Sequence, residues 1–143
     1  MCIKQEEIFV PGGGFIYRVL HRIMEGDCQC DHGPLWAEVM SMYVDKYPVT
    51  NAMYYDFLKQ SGYIPKDSAN FLRHWVNMKP SQEDMDKPVV WISYNDACAY
   101  ADFYNKSLPT DIEWQYFASG SRRLKWPWGN EYDKSKLNAD EYG

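Results

Sequence analysis

The chain has 143 residues, 45% of them hydrophobic and 17% aromatic, with a formal net charge of −5. That length suits one domain spanning 1–143, and so much aromatic surface excludes a disordered, solvated tail. The acidic balance excludes a nucleic-acid footprint, and no window approaches the ~20 apolar residues that a membrane span requires.

In chain order, Met1–Glu7 carries no apolar leader core, so the expectation is a cytoplasmic protein without a membrane partner. Ile8-Phe9-Val10-Pro11-Gly12-Gly13-Gly14-Phe15-Ile16-Tyr17 predicts strand, glycine turn, strand, the glycines supplying positive φ angles. A phosphate loop is disfavoured, because neither Lys-Ser nor Lys-Thr follows and no helical pattern does. The polar stretch Met24–Pro34, with Gly26 and Gly33, reads as a loop. From Ala37 to Tyr47 the residues alternate. Val39, Ser41, Tyr43 and Asp45 face one way and Met40, Met42, Val44 and Lys46 the other, as in one strand with an apolar face.

Thr50 is suited to cap a helix, since its hydroxyl can accept from a first-turn amide. Tyr54, Phe57 and Leu58 then form one helical stripe, and Gly62 closes the helix in the left-handed region. Prolines at 65, 80 and 88 break the next stretch, within which Phe71–Trp75 predicts a single helical turn. Val89–Ile92 reads as a short buried strand. Ser93 with Asp96 starts a second helix whose stripe is Ala97, Tyr100, Ala101 and Tyr104. Thr110 with Glu113 is a capping box opening a third helix that ends at Gly120. Trp126-Pro127-Trp128-Gly129-Asn130 is a rigid aromatic turn, and Arg122, Arg123 and Lys125 beside it read as solvated surface.

Four landmarks stand in a particular order. They are Val49-Thr50-Asn51, then Pro88 through Ala97 (PVVWISYNDA), then Leu108 through Tyr116 (LPTDIEWQY), then Pro127-Trp128-Gly129-Asn130. In that order and rough spacing the chain, from about residue 8 to 143, resembles the formylglycine-generating enzyme, or sulfatase-modifying factor, family. The resemblance implies an α+β, C-type-lectin-like scaffold with much irregular structure. Members of this family include an oxidase that converts a sulfatase cysteine to formylglycine with oxygen and a copper held by two cysteines. Others resemble the iron-dependent sulfoxide synthase of ergothioneine synthesis, and others are binding proteins.

The family's copper cysteines lie later than Gly143, so the expectation is an N-terminal portion, incomplete at its C-terminus, with no copper site or oxidase activity of its own. A peptide or protein substrate is the implied partner. The alternative is a noncatalytic ligand- or protein-binding module. Uncovered aromatic surface would then favour self-association. Two residues depart from the pattern. Ser107 stands where the family often has a basic residue, and Met53 where it commonly has Glu.

Few residues offer chemistry of their own. Cys2, Cys28, Cys30 and Cys98 have no framework spacing and read as reduced thiols. Cys28, Cys30, Asp31 and His32 make a ligand-like cluster, but zinc needs four donors, usually as two separated pairs, so a polar loop with free thiols is favoured. Cys98 reads as a small buried hydrophobe, His74 as structural, and Trp91, Trp114 and Trp128 as packing residues. By the resemblance, Asn138 and the carbonyl of Ala139 would hold a structural calcium. From the residues alone they are a polar chain end.

Overall fold

A computed structural model of the protein describes residues 6–19, 32–120 and 124–137. Among these are strands β1 (Glu7–Val10), β2 (Gly13–Val19), β3 (His32–Val39) and β4 (Met42–Asp45), followed by helices α1 (Asn51–Ser61), α2 (Tyr94–Phe103) and α3 (Asp111–Ser119). Short 3-10 turns occupy Gln82–Asp84 and Lys134–Lys136. β1 pairs with β4, and β2 pairs antiparallel with β3. The class is therefore α+β. The described residues gather into two compact units, one within Met1–Ile8 and Tyr43–Leu108, the other within Phe9–Met42 and Pro109–Gly143.

The first unit is built on aromatic packing between α1 and α2. Thr50 caps α1, its side chain accepting from the amide of Met53, and Gly62 ends the helix at φ 63, where an L side chain would be strained. The α1 stripe buries Tyr54 and Phe57. Tyr54 stacks on Tyr100 of α2 with centroids 5.6 Å apart, and Phe57 meets the same ring edge-on at 5.4 Å. Phe71, Leu72 and Trp75 close this cluster. Offset and edge-on contacts suit the ring quadrupoles and add to the burial of apolar area.

Two expected elements in this unit do not form. Phe71–Trp75 is a turn rather than a helical one, because Leu72 adopts φ 49 while its amide donates to the Trp91 carbonyl at 2.8 Å. Val89–Ile92 is irregular rather than a buried strand. Trp91 sits at φ 59 and is 43% exposed, and the segment's backbone is held by single bonds, Val89 donating to the Val49 carbonyl at 2.9 Å and the Trp91 carbonyl accepting from Leu72, rather than by a ladder. The apolar run is a packing signal, not a sheet signal.

In the second unit, β2 and β3 pair in the register Phe15↔Ala37, with an irregularity between Tyr17 and Val19. α3 covers the pair, closing a small core of Phe15, Val39 and Tyr116. The Phe15 and Tyr116 rings lie 5.4 Å apart, and the Tyr116 hydroxyl donates to the Pro11 carbonyl at 3.0 Å. The glycine run does not make a positive-φ hairpin. Gly13 and Gly14 belong to β2, and they serve close approach: a Cβ on Gly14 would lie 2.1 Å from the Trp36 ring. β3 starts at His32, inside the expected loop, because Val19 of β2 pairs with it. The single strand expected over 37–47 is interrupted at Met40–Ser41, where the Gly12 amide donates to Ser41 Oγ at 2.9 Å. The interruption resets the alternation, leaving Met40 85% exposed and putting Val39 inside but Tyr43 outside.

Candidate functional site

Three of the four landmarks open the three helices, where their capping side chains are engaged. After Thr50, Asn51 is buried on the apolar face of α1. Its Oδ1 accepts from Trp75 Nε1 at 3.0 Å, and its Nδ2 donates to the carbonyls of Asp84 at 2.9 Å and Lys87 at 3.2 Å. Sequence reasoning misses the Asn51–Trp75 clasp. It is legible in principle, since Asn51 shares a helical stripe with Tyr54 and Leu58, and a polar group on an apolar face needs partners.

At the head of α2, Ser93 and Asp96 form a complete capping box. Asp96 is only 2% exposed, and its Oδ2 accepts from the Ser93 amide and hydroxyl, each at 2.7 Å. Its Oδ1 accepts from the Tyr63 hydroxyl at 2.7 Å, and its backbone carbonyl from the Tyr54 hydroxyl at 3.3 Å. Burial opposes ionisation of Asp96, but the hydrogen bonds from Ser93 and Tyr63 together hold its carboxyl below the usual range. Burial and the Asp96 hydrogen bond push the Tyr63 hydroxyl up to about 12.

α3 opens with a second full capping box. The Thr110 amide and hydroxyl donate to Glu113 Oε2 at 2.7 and 2.8 Å, which lowers the Glu113 pKa. Beyond α3, the aromatic turn closes with reciprocal backbone bonds between Trp126 and Gly129 at 2.9 and 3.0 Å. The Trp126 and Trp128 rings stack at 5.5 Å, nearly parallel. Trp128 is half-buried, whereas Trp114 is 56% exposed beside Phe117 and Trp91 is exposed under Arg73, so the last two pack at the surface rather than in a core.

The residues proposed for metal chemistry fall otherwise. Asn138 and Ala139, the calcium pair, lie outside the described residues, as do Cys2, Cys28, Cys30 and Asp31 and the side chain of His32. Cys98 on α2 is half-buried rather than buried, and a hydrogen bond to it raises the Tyr94 hydroxyl pKa. His74 is exposed, its ring 6.1 Å from that of Trp75. Among the described residues no group of three His, Cys, Asp or Glu is placed to hold a metal, and Cys98 is the sole cysteine. A copper centre made by two thiolates needs two cysteines, and three of the chain's four lie outside the described residues.

The described residues thus combine short helices with capped starts, small antiparallel sheets and a paired-tryptophan turn. The chain matches the Sulfatase-modifying factor enzyme 1-like domain over residues 3–143 and belongs to that family. It is 36% identical over 102 residues to the Uncharacterized protein YfmG of Bacillus subtilis, covering 66% of the chain and 21% of that protein. It is 26% identical over 167 residues to the Inactive C-alpha-formylglycine-generating enzyme 2 of Mus musculus, covering 92% of the chain and 53% of that protein. It is 27% identical over 171 residues to the Formylglycine-generating enzyme of Mycobacterium tuberculosis, covering 88% and 55%. The chain thus spans about a fifth of the Bacillus protein and about half of the other two.

Proposed function

We propose that this polypeptide is the framework portion of a formylglycine-generating-enzyme-like domain on a C-type-lectin-like scaffold, and that it does not by itself make formylglycine. One observation carries this reading. The polar atoms of the family landmarks are engaged in holding the backbone: Thr50 and Asn51 around α1, Ser93 and Asp96 at α2, Thr110 and Glu113 at α3. A residue whose acceptors are filled by caps has little left for substrate. Relatives named both as the enzyme and as its inactive counterpart match this chain, so likeness to them leaves the activity open.

The test is purified protein with copper, oxygen, a reductant and a sulfatase-type cysteine peptide, read by mass spectrometry. The peptide is expected to remain unconverted. Conversion of its cysteine to the aldehyde, abolished by chelation, would overturn the proposal.

A second reading, a noncatalytic binding module, is favoured by Trp36 at 67% exposure and Trp114 at 56% within one unit. Aromatic side chains such as tryptophan are enriched at binding hot spots.

A further inference from the structure

In the second unit, the sheet face turned away from α3 carries an aromatic row with an opposite charge at each end. Phe15 and Val39 pack with Tyr116 on the α3 side, and the Tyr17 hydroxyl reaches Asp111 there. Because side chains alternate along a strand, Gly14, Ile16 and Arg18 of β2 share the other side with Trp36 and Glu38 of β3. The register sets Ile16 opposite Trp36 and Gly14 opposite Glu38. The Trp36 ring lies over Gly14, where a Cβ would come within 2.1 Å of it, yet Trp36 is 67% exposed. Arg18 and Glu38 are exposed and flank the Ile16–Trp36 row from opposite ends. Glu38 makes no ion pair among the described residues.

We propose that this face is the contact between two copies of the chain, packed sheet to sheet about a twofold axis at the Ile16–Trp36 row. The charges select a second copy, because the face is complementary to itself. A twofold lying between the sheets, at right angles to the strands, reverses their direction. It brings Arg18 of each copy to the end that holds Glu38 of the other, and Trp36 onto the partner's Trp36. Facing sheets pack about 10 Å apart, a gap that an opposed arginine and glutamate can span. Such a contact closes on itself and stops at the dimer. A two-stranded face is smaller than the ~800 Å² per partner of a stable complex, so the dimer is weak and reversible. The contact is independent of the peptide assay above, since no oxidase activity enters it.

The experiment is analytical ultracentrifugation of the whole chain, kept reduced, over concentrations from about 10 μM to 1 mM. A monomer–dimer equilibrium with Kd on the order of 0.1 mM is expected, weakening as salt screens the ion pairs. Arg18→Glu and Glu38→Arg should each raise Kd about tenfold or more, since each sets like charges together at both ends. The double variant Arg18→Glu/Glu38→Arg restores opposite pairs and should return Kd to within about threefold of the parent. Trp36→Ser should weaken the dimer as much as a single reversal, whereas Trp114→Ser, on α3, should leave it unchanged. Circular dichroism checks that each variant is folded, and the double variant guards against a charge reversal that acts only on folding. The proposal is overturned by a chain that stays monomeric at about 1 mM, or by growth beyond the dimer. It is equally overturned if the double variant associates no better than the single ones, or if Trp114→Ser, not Trp36→Ser, abolishes the dimer.

Discussion

Among the described residues, the unit around α1 and α2 encloses polar groups along with its rings, whereas the unit around β2, β3 and α3 buries Phe15, Val39 and Tyr116 and keeps most of its polar contacts outside. In the first, Asn51 and Asp96 are buried and every described polar atom of their side chains has a partner. In the second, the Tyr17 hydroxyl donates to Asp111 and Thr110 caps α3 in exposed positions. Buried hydrogen bonds become strong and unforgiving in low dielectric, and exposed ones compete with water. The first unit should therefore dominate stability, while the second has large rings, Trp36 and Trp114, to spare for contact.

The largest expected effect sets one core against the other. Phe57→Ala should cost ~4–5 kcal/mol, because four rings lose a neighbour, and Phe15→Ala ~3 kcal/mol in the smaller cluster. Urea unfolding followed by tryptophan fluorescence measures both. A Phe15 cost equal to or above that of Phe57 would break the comparison.

A smaller effect should come from Asp96→Asn, about 2 kcal/mol, since the amide turns a donor toward Ser93 or Tyr63, both donors already. The pH dependence has a definite sign. The folded-state pKa of Asp96 is lowered, so its contribution is complete above the unfolded value of ~4 and is lost as pH falls through the folded one. Wild-type stability should thus decline below about pH 4 more steeply than that of the Asn variant. Parallel acid limbs for the two proteins would show that the Asp96 network contributes no such linkage.

What is legible in the sequence is local. Thr50, Ser93 with Asp96, Thr110 with Glu113, and Gly62 can be read because a cap is satisfied within three or four residues of itself. Strands are read less well, since pairing is a long-range choice: β3 starts where Val19 meets His32, and the break at Ser41 depends on Gly12, 29 positions away. The candidate site is legible only as a family pattern. Nothing near Asn51 in sequence announces that Trp75, 24 positions away, clasps its side chain.

The smallest expected effect concerns Trp91, which like Leu72 is a bulky residue of the first unit at positive φ. A bulky residue at φ 59 costs roughly 1–2 kcal/mol relative to ordinary backbone, because its Cβ crowds the carbonyl. Two contacts oppose that cost. Its carbonyl accepts from the Leu72 amide, and the Arg73 guanidinium carbon lies 3.2 Å from its ring centroid. A stacked cation at an exposed site contributes about 0.5–1 kcal/mol. Trp91→Gly keeps the backbone bond and relieves the strain but forfeits the stack and adds glycine's unfolded-state entropy, so the net change should be within about 1 kcal/mol of zero. A double-mutant cycle with Arg73→Ala separates the parts. Arg73→Ala should destabilise the protein that keeps Trp91 and leave the Trp91→Gly variant nearly unchanged. If Trp91→Gly instead costs ~3 kcal/mol, the half-exposed ring is a core element after all, and the first unit's core extends to its surface loop.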